Sequence, residues 1–467
     1  MITLYHDIEQ NYDSNADPEV CRNIVYEFLR LEKKYNIRAT YNIVGKIFIN
    51  QPDLIDRILN EGQEIAFHSY NHQTDWNSKY FSNEISLCRK VSLIPKGYRS
   101  PRSQINQEAV QTIWNEGFYW TAEGDRHSEP YFIYKGLVRL PIIADDWPLF
   151  EEKISADEWV NQFSKLIKNR SYTAFGLHDC VASFEPDKTL NAWEKVLQIA
   201  ASSEKPKVTF SEAADLFRRS FIAMRLSSIA KEKLVNPNLN DIVKLLNKEI
   251  EGLNNPVIAF LSNSTEEQLG LKEVIINNCY LISSSLDDDN IKCFNINNKE
   301  RIEAGFLFNS IDLLICLDSF ELQYSPDILA QIINNYCKIG SKYIINFKAG
   351  NDNSNHDSLL ENIKRNYTLA EIEKWSYNFG DYSITSNDDF INTSESDPHH
   401  EKGWSLIGKV QHRNNVQSNT RILPLSEYNF KFPNQNIEQY RIILESKKLL
   451  YLKPIKKAIK MLLNREY

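Results

Sequence analysis

No run of about 18 apolar residues occurs anywhere in the chain, so a membrane-spanning helix is not expected. Cysteine is sparse and unpatterned. The seven residues are an odd number, spread without a Cys-x-x-Cys pair, which argues against a disulfide framework and for free thiols in a reducing compartment. Basic residues are outnumbered, 54 Lys and Arg against 62 Asp and Glu, and the net charge of -8 offers nucleic acid no overall attraction. A secretory leader is not expected either. Met1 runs at once into Ile2-Thr3-Leu4-Tyr5, with no basic n-region and no cleavage site, and a cytoplasmic location is expected. Heptad, collagen-like and solenoid repeats are absent, and the asparagines that abound after residue 230 are scattered through periodic apolar segments. What remains is a chain of 467 residues, 42% hydrophobic, long enough to bury more than one core.

The first half is organised around Glu64-Ile65-Ala66-Phe67-His68-Ser69-Tyr70-Asn71-His72. A short apolar run delivers two histidines at the point where it turns polar. Their spacing sets both imidazoles on one side of a helical turn, as two ligands of a tetrahedral metal require. Upstream, Ile2–Tyr5 reads as a buried strand opening onto His6-Asp7-Ile8-Glu9, where Asp7 and Glu9 alternate and so share a side. Amphipathic helices are predicted over Pro18–Tyr35, Pro52–Asn60, Trp76–Ser92, Asn106–Glu116, Ala156–Lys168 and Ser211–Arg219. Short strands are predicted at Ala39–Asn42, Phe118–Trp120 and Tyr172–Leu177, the last delivering His178-Asp179, while Val138–Ile143 leads into Asp145-Asp146-Trp147-Pro148. Alternating strands and helices indicate a parallel α/β arrangement, with polar residues gathered at strand ends, where barrel active sites lie.

Two histidines and one carboxylate make a three-ligand site with an open position for water, the pattern of a catalytic zinc. Asp7 supplies a spare carboxylate for a general base, His178 a candidate general acid, and Arg99 a cation able to hold a carboxylate ionised. Each has an ordinary alternative: Asp7 capping a loop, Arg99 in a surface salt bridge, His178 bonded to backbone. Their arrival together at the strand ends of one α/β unit is what points to a site.

The order of these pieces resembles the polysaccharide deacetylase family, carbohydrate esterase family 4, over about residues 1–220. The matching motifs are the acid-bearing His6-Asp7-Ile8-Glu9, His68-Ser69-Tyr70-Asn71-His72, Arg99-Ser100-Pro101, Asp146-Trp147 and Leu177-His178. The resemblance implies a distorted (β/α) barrel and a hydrolase that acts on a non-peptide carbon–nitrogen bond, removing an N-acetyl or other N-acyl group from an amino sugar. It further implies Asp7 as base, Glu9, His68 and His72 as ligands of a divalent metal, Arg99 orienting Asp7, and Asp146 keeping His178 protonated. One departure stands out. The usual first motif has adjacent aspartates, whereas Ile8 here separates Asp7 from a glutamate, which leaves open which acid touches the metal. A nucleotide- or lipid-linked glycan precursor suits the expected cytoplasmic setting as substrate. Another non-peptide C–N bond, such as a formamide or cyclic amide, is the alternative.

The second half changes character. Residues 221–255 read as a helical linker, and 256–411 as a doubly wound α/β domain whose segment Ile311–Phe347 resembles class I S-adenosylmethionine-dependent methyltransferases. The turn Leu261-Ser262-Asn263-Ser264-Thr265 has none of the glycines that let a backbone approach the cofactor, so a degenerate, non-catalytic domain is expected. Asp287 occupies the place of a ribose-binding acid, and a solvated loop explains it equally. A methyltransferase with an inactive deacetylase module and a scaffold in a glycan-assembly complex are the competing readings. Residues 412–467 are read as a polar linker and a basic amphipathic helix. Lys447, Lys448, Lys453, Lys456, Lys457, Lys460 and Arg465 interleave with apolar residues, which suits peripheral contact with an anionic membrane or packing on the protein itself.

Overall fold

The computed structural model describes residues 1–229 except 13, 74–77, 93, 126 and 128. Beyond them it describes 248–249, 251, 253, 255–261, 279–283, 292–295, 301–302, 307–316, 326–348, 372, 375–376, 379–386 and 403–412. Trp76, most of the expected linker, the turn 262–265, Asp287 and the basic tail lie outside the described residues. No helix among the described residues is long and apolar enough to cross a membrane. The described chain divides into two compact units, Met1–Ala214 and one beginning at Asp215.

The first unit is built on an eight-stranded sheet: β1 (Ile2–Ile8), β2 (Thr40–Ile43), β3 (Glu64–Phe67), β4 (Gly97–Tyr98), β5 (Trp120–Gly124), β6 (Tyr131–Tyr134), β7 (Leu137–Ile142) and β8 (Thr173–His178). The order is β6-β7-β5-β4-β3-β2-β1-β8. Every neighbouring pair is parallel except the β6–β7 hairpin. A parallel bridge between Ala144 and Phe175 joins the chain just past β7 to β8, at the far end of that order. The sheet therefore curls toward closure, as a distorted (β/α) barrel does. Between the strands run α1 (Pro18–Tyr35), α2 (Gly45–Asn50), α3 (Pro52–Asn60), α4 (Ser78–Val91), α5 (Gln107–Asn115), α6 (Trp147–Phe150) and α7 (Ala156–Asn169), and β8 is followed by α8 (Asp179–Phe184), α9 (Pro186–Ser202) and α10 (Phe210–Ile229). The last runs across residue 220, where the first domain was expected to end.

Strand parity in β1 sets up the site. Ile2, Leu4 and Ile8 join the core that the surrounding helices close. His6 shares that face, stacked on Phe28 at 4.2 Å and bonded to the buried Glu32 at 2.5 Å. Thr3, Tyr5 and Asp7 therefore face the other way, into the curl, and Glu9 follows them just past the strand. Parallel pairing then brings other strand ends to the same level. Asp7 is in register with Asn42 on β2 and with His178 on β8, and Phe67 with Tyr98. Close packing of β1 on β8 explains Gly176, where a Cβ would lie 2.4 Å from the Tyr5 carbonyl oxygen.

The helices follow local rules. Asp17 caps α1 by accepting from the Glu19 N–H at 2.8 Å, Pro18 opens it, and Asn36 ends it in the left-handed conformation. Ser155 and Glu158 form a capping box on α7. Helix α9 is not among those expected, although Thr189, Ala192, Trp193, Val196, Leu197 and Ala200 form its buried stripe at helical spacing.

The second unit has its own sheet: β9 (Ile258–Leu261), β10 (Cys279–Ser283), β11 (Lys292–Asn295), β12 (Arg301–Ile302), β13 (Ile311–Cys316), β14 (Cys337–Lys348), β15 (Tyr382–Ser386) and β16 (Gly403–Lys409). Its order is β12-β11-β10-β9-β13-β14-β16-β15. Strands β10, β9, β13 and β14 run parallel, whereas β11, β12, β15 and β16 join through antiparallel pairs. Helix α11 (Pro326–Tyr336) passes straight into β14. Gly340 lies inside that strand at φ 93°. The parallel centre suits an α/β reading; the antiparallel edges were not anticipated.

Candidate active site

The ends of β1 and β3 bring Glu9, His68 and His72 together. Glu9 Oε1 lies 3.0 Å from His68 Nε2 and 3.1 Å from His72 Nε2. Zinc bonds of about 2.0–2.2 Å would set tetrahedral donors about 3.3–3.5 Å apart, so the three atoms fit one ion with small adjustment. His68 Nδ1 lies 3.0 Å from the Arg99 carbonyl oxygen, which can only accept, so Nδ1 carries the proton and Nε2 is left to ligate. A second cluster, Asp7, Glu9 and His178, also has its donor atoms within 4.8 Å of one another. Asp7 and His178 are engaged by other partners, which makes the set with two histidines the better cage.

The histidine segment does not form the expected helical turn. Ser69 and His72 each sit at φ 58°, in the left-handed region, at roughly 1–2 kcal/mol per residue. Surrounding groups hold the loop in this form. Glu84 on α4 accepts from the backbone N–H groups of Tyr70 (3.1 Å) and Asn71 (2.6 Å). On the other side, the Gly45 and Lys46 N–H groups at the start of α2 donate to the carbonyls of Ser69 and Tyr70. A Cβ on Gly45 would come within 2.8 Å of the Tyr70 ring, so this approach needs glycine.

Beside the ligand set lies a second, differently wired group. Arg99 Nε donates to both Asp7 oxygens, at 2.9 and 2.6 Å, and Asn42 Nδ2 donates to Asp7 Oδ1 at 2.8 Å. Arg99 is itself held by the Ala122 carbonyl at 3.0 Å. His178 points Nε2 at Asp7 Oδ2, 3.4 Å away, and its Nδ1 meets Asp146 Oδ1 at 2.5 Å. The other Asp146 oxygen accepts the His178 backbone N–H at 2.9 Å.

Electrostatics separate the roles these groups can play. Burial by itself would raise the Asp7 carboxyl, but Arg99, with His68 and His178, outweighs it and holds the group below the usual range. Burial opposes ionisation of Glu9 too, and the close approach of the His68 and His72 imidazoles, with His178 behind them, reverses that and holds it well below normal. His68 moves the other way, lowered by burial, which favours the neutral imidazole a metal needs. For His178, burial works against the cation, yet Asp146 raises it well above an ordinary histidine. The site therefore contains an ionised carboxylate beside a protonated imidazole. Cys180 Sγ lies 3.5 Å from Glu9 Oε2, but burial pushes this thiol up, so it stays protonated and is a poor ligand.

All seven residues singled out in the sequence, Asp7, Glu9, His68, His72, Arg99, Asp146 and His178, are buried around this one centre. Asn42, Glu84 and Asp179 were missed. A polar Asn42 inside the short buried strand Thr40–Ile43 was a readable signal, as was Asp179 directly after His178. Glu84 gave none, since an acid on an amphipathic helix normally faces water.

Residues 7–118 match the family model described as polysaccharide deacetylase, which supports a deacetylase domain over that range. The match takes in Asp7, Glu9, His68, His72 and Arg99; Asp146 and His178 lie beyond it. A peptidoglycan-N-acetylglucosamine deacetylase of Listeria monocytogenes is 26% identical over 98 residues, 20% of this chain and 21% of that protein. One from Bacillus cereus is 24% identical over 119 residues, 24% of this chain and 42% of its own. The chain thus spans less than half the length of the curated relatives it matches. Among solved structures, a family 4 carbohydrate esterase from Streptomyces lividans in complex with acetate aligns at 19% identity over 43% of this chain and 87% of its own, with a TM-score of 0.31. An allantoinase aligns at 15% identity over 46% and 89%, with a TM-score of 0.39.

Proposed function

We propose that the first unit is a zinc-dependent hydrolase that removes the N-acetyl group of an amino sugar, carried on a nucleotide- or lipid-linked glycan precursor in the cytoplasm. The observation that carries this reading is the pairing of Asp7–Arg99 and His178–Asp146 beside the Glu9, His68 and His72 donors. The family match over residues 7–118 and the named activity of the relatives support the choice of an N-acetylated sugar. When bound, the ion would polarise the amide carbonyl and lower the pKa of a water. Asp7, kept ionised by Arg99, takes the proton from the attacking water. His178, kept protonated by Asp146, gives its Nε2 proton to the departing amine.

The test is acetate release by the zinc-loaded protein from N-acetylated sugar nucleotides and lipid-linked sugars, with a formamide and a cyclic amide alongside. Turnover of only the last two would move the reading to the alternative C–N bond. His178→Ala is expected to lower kcat by roughly 10²–10⁴ with zinc content unchanged. Since activity needs the His178 proton, it should fall on the alkaline side, as pH passes the raised pKa. Asp146→Asn, which removes the group that raises it, should move that limb to lower pH. An unmoved limb would detach His178 from the acid role.

For the second unit, we infer a methyltransferase-like arrangement that has lost cofactor binding. Its support is the strand order, in which the chain places β10 on one side of β9 and then β13 and β14 on the other, the kind of switch point where α/β sheets bind nucleotides. Against binding stands the glycine-free sequence Ser262-Asn263-Ser264-Thr265 after β9. Calorimetric titration of the full-length protein with S-adenosylmethionine should show no heat of binding. A micromolar Kd would make the protein bifunctional.

A further inference from the structure

Both segments that carry metal-ligand side chains share a backbone peculiarity. Gln10, next to Glu9, sits at φ 51°, and Ser69 and His72 both sit at φ 58°. Non-glycine residues take this left-handed form only where the surroundings impose it. In each segment two successive backbone N–H groups converge on one buried carboxylate. Asp179, at the start of α8, accepts from the N–H groups of Glu9 (2.8 Å) and Gln10 (3.1 Å) through Oδ1, which also takes the Cys180 N–H at 2.7 Å. Glu84 accepts from the N–H groups of Tyr70 and Asn71 through Oε2, while its Oε1 takes the Asn71 side-chain amide at 2.7 Å. Successive N–H groups around a left-handed residue form a concavity suited to an anion. Here a carboxylate of the chain itself fills each one. Asp179 is fully buried and Glu84 is 4% exposed, so water does not compete for either.

We infer that Asp179 and Glu84 are paired positioning residues, each locking one ligand-bearing segment so that Glu9, His68 and His72 converge before an ion arrives. The inference rests on the zinc reading above. Neither carboxylate touches the three donor atoms through its own oxygens; each acts through backbone. Their acceptor geometry, and not their charge, is the working property. Amides of the same shape retain the oxygen that the paired N–H groups share. Asparagine at 179 can present it at the Oδ1 position, giving up only the longer 3.2 Å contact from the Gln10 N–H to Oδ2. Glutamine at 84 can present it at the Oε2 position once the Asn71 side-chain amide turns its own oxygen toward the new nitrogen. Alanine removes the acceptor, and glutamate at 179 keeps the charge but carries the oxygens one methylene too far.

The experiment measures zinc affinity of the full-length, metal-stripped protein by competition with a chromophoric chelator, together with the Tm of the metal-free form. Asp179→Ala and Glu84→Ala should each weaken zinc about 10–100-fold, the usual range for groups that orient ligands. Asp179→Asn and Glu84→Gln should stay within about threefold of the parent. Asp179→Glu, the less disruptive test should Asp179→Ala fail to fold, should weaken zinc like the alanine variant. Two results overturn the inference: unchanged affinity in the alanine and glutamate variants despite a lower Tm, which is a purely structural role, or equal loss in the amide variants, which is a charge effect. A parent protein that binds no zinc at all would instead defeat the metal reading on which this one stands.

Discussion

Asp7→Asn is expected to abolish measurable turnover while the protein keeps its zinc. The substitution preserves shape and removes the ability to accept a proton, worth roughly 10²–10⁴ in rate for a general base. It also strips the buried Arg99 of its counter-charge, and breaking such a pair costs roughly 3–5 kcal/mol. Stability should therefore fall, and the assay belongs well below the new Tm. Glu9→Gln separates the two acids. An amide is a poorer ligand than a carboxylate, so this variant should lose zinc affinity, whereas Asp7→Asn should not. The geometry motivates that division: Glu9 Oε1 is within 3.1 Å of both histidines, while Asp7 is occupied by Arg99 and Asn42. Zinc loss in Asp7→Asn with retention in Glu9→Gln would reverse the two roles.

Much of this centre was legible because its residues sit where short-range patterns end. Alternation in β1 put Asp7 and Glu9 on one side, and the run Thr173–Leu177 ended on His178. Which acid meets the histidines was not legible, because the carboxylates lie one strand residue apart and only the curl of the sheet decides between them. The histidine loop was misread as helical because four-residue spacing also fits a turn containing left-handed residues, held by the distant Glu84 and Gly45. Asn42 and Asp179 act through partners 35 and 170 positions away, separations at which no local pattern signals a contact. In the second unit, strand direction at the sheet edges is set by pairing, which periodicity does not record.

His68→Ala and His72→Ala are each expected to lose most of the bound zinc and, with it, turnover, while the fold survives. Both side chains project from a loop past β3 whose backbone is fixed by Glu84 and by the N–H groups opening α2, contacts that neither substitution touches. The two losses should not add. Glu9 is held ionised in its buried position chiefly by the two imidazoles that face it, with His178 adding to their pull. With one histidine gone, the remaining imidazole still offsets part of the burial penalty. With both gone, only the His178 cation still opposes burial, so the carboxyl rises and the third ligand holds a proton more readily. The double variant should therefore bind zinc more weakly than the product of the single effects, the coupling expected of groups in one network. Zinc stoichiometry and competition affinities for the parent, the two single variants and the double variant complete the cycle. Full zinc occupancy in the double variant would sink the three-ligand assignment, and strictly additive losses would remove the proposed dependence of Glu9 on its two histidines.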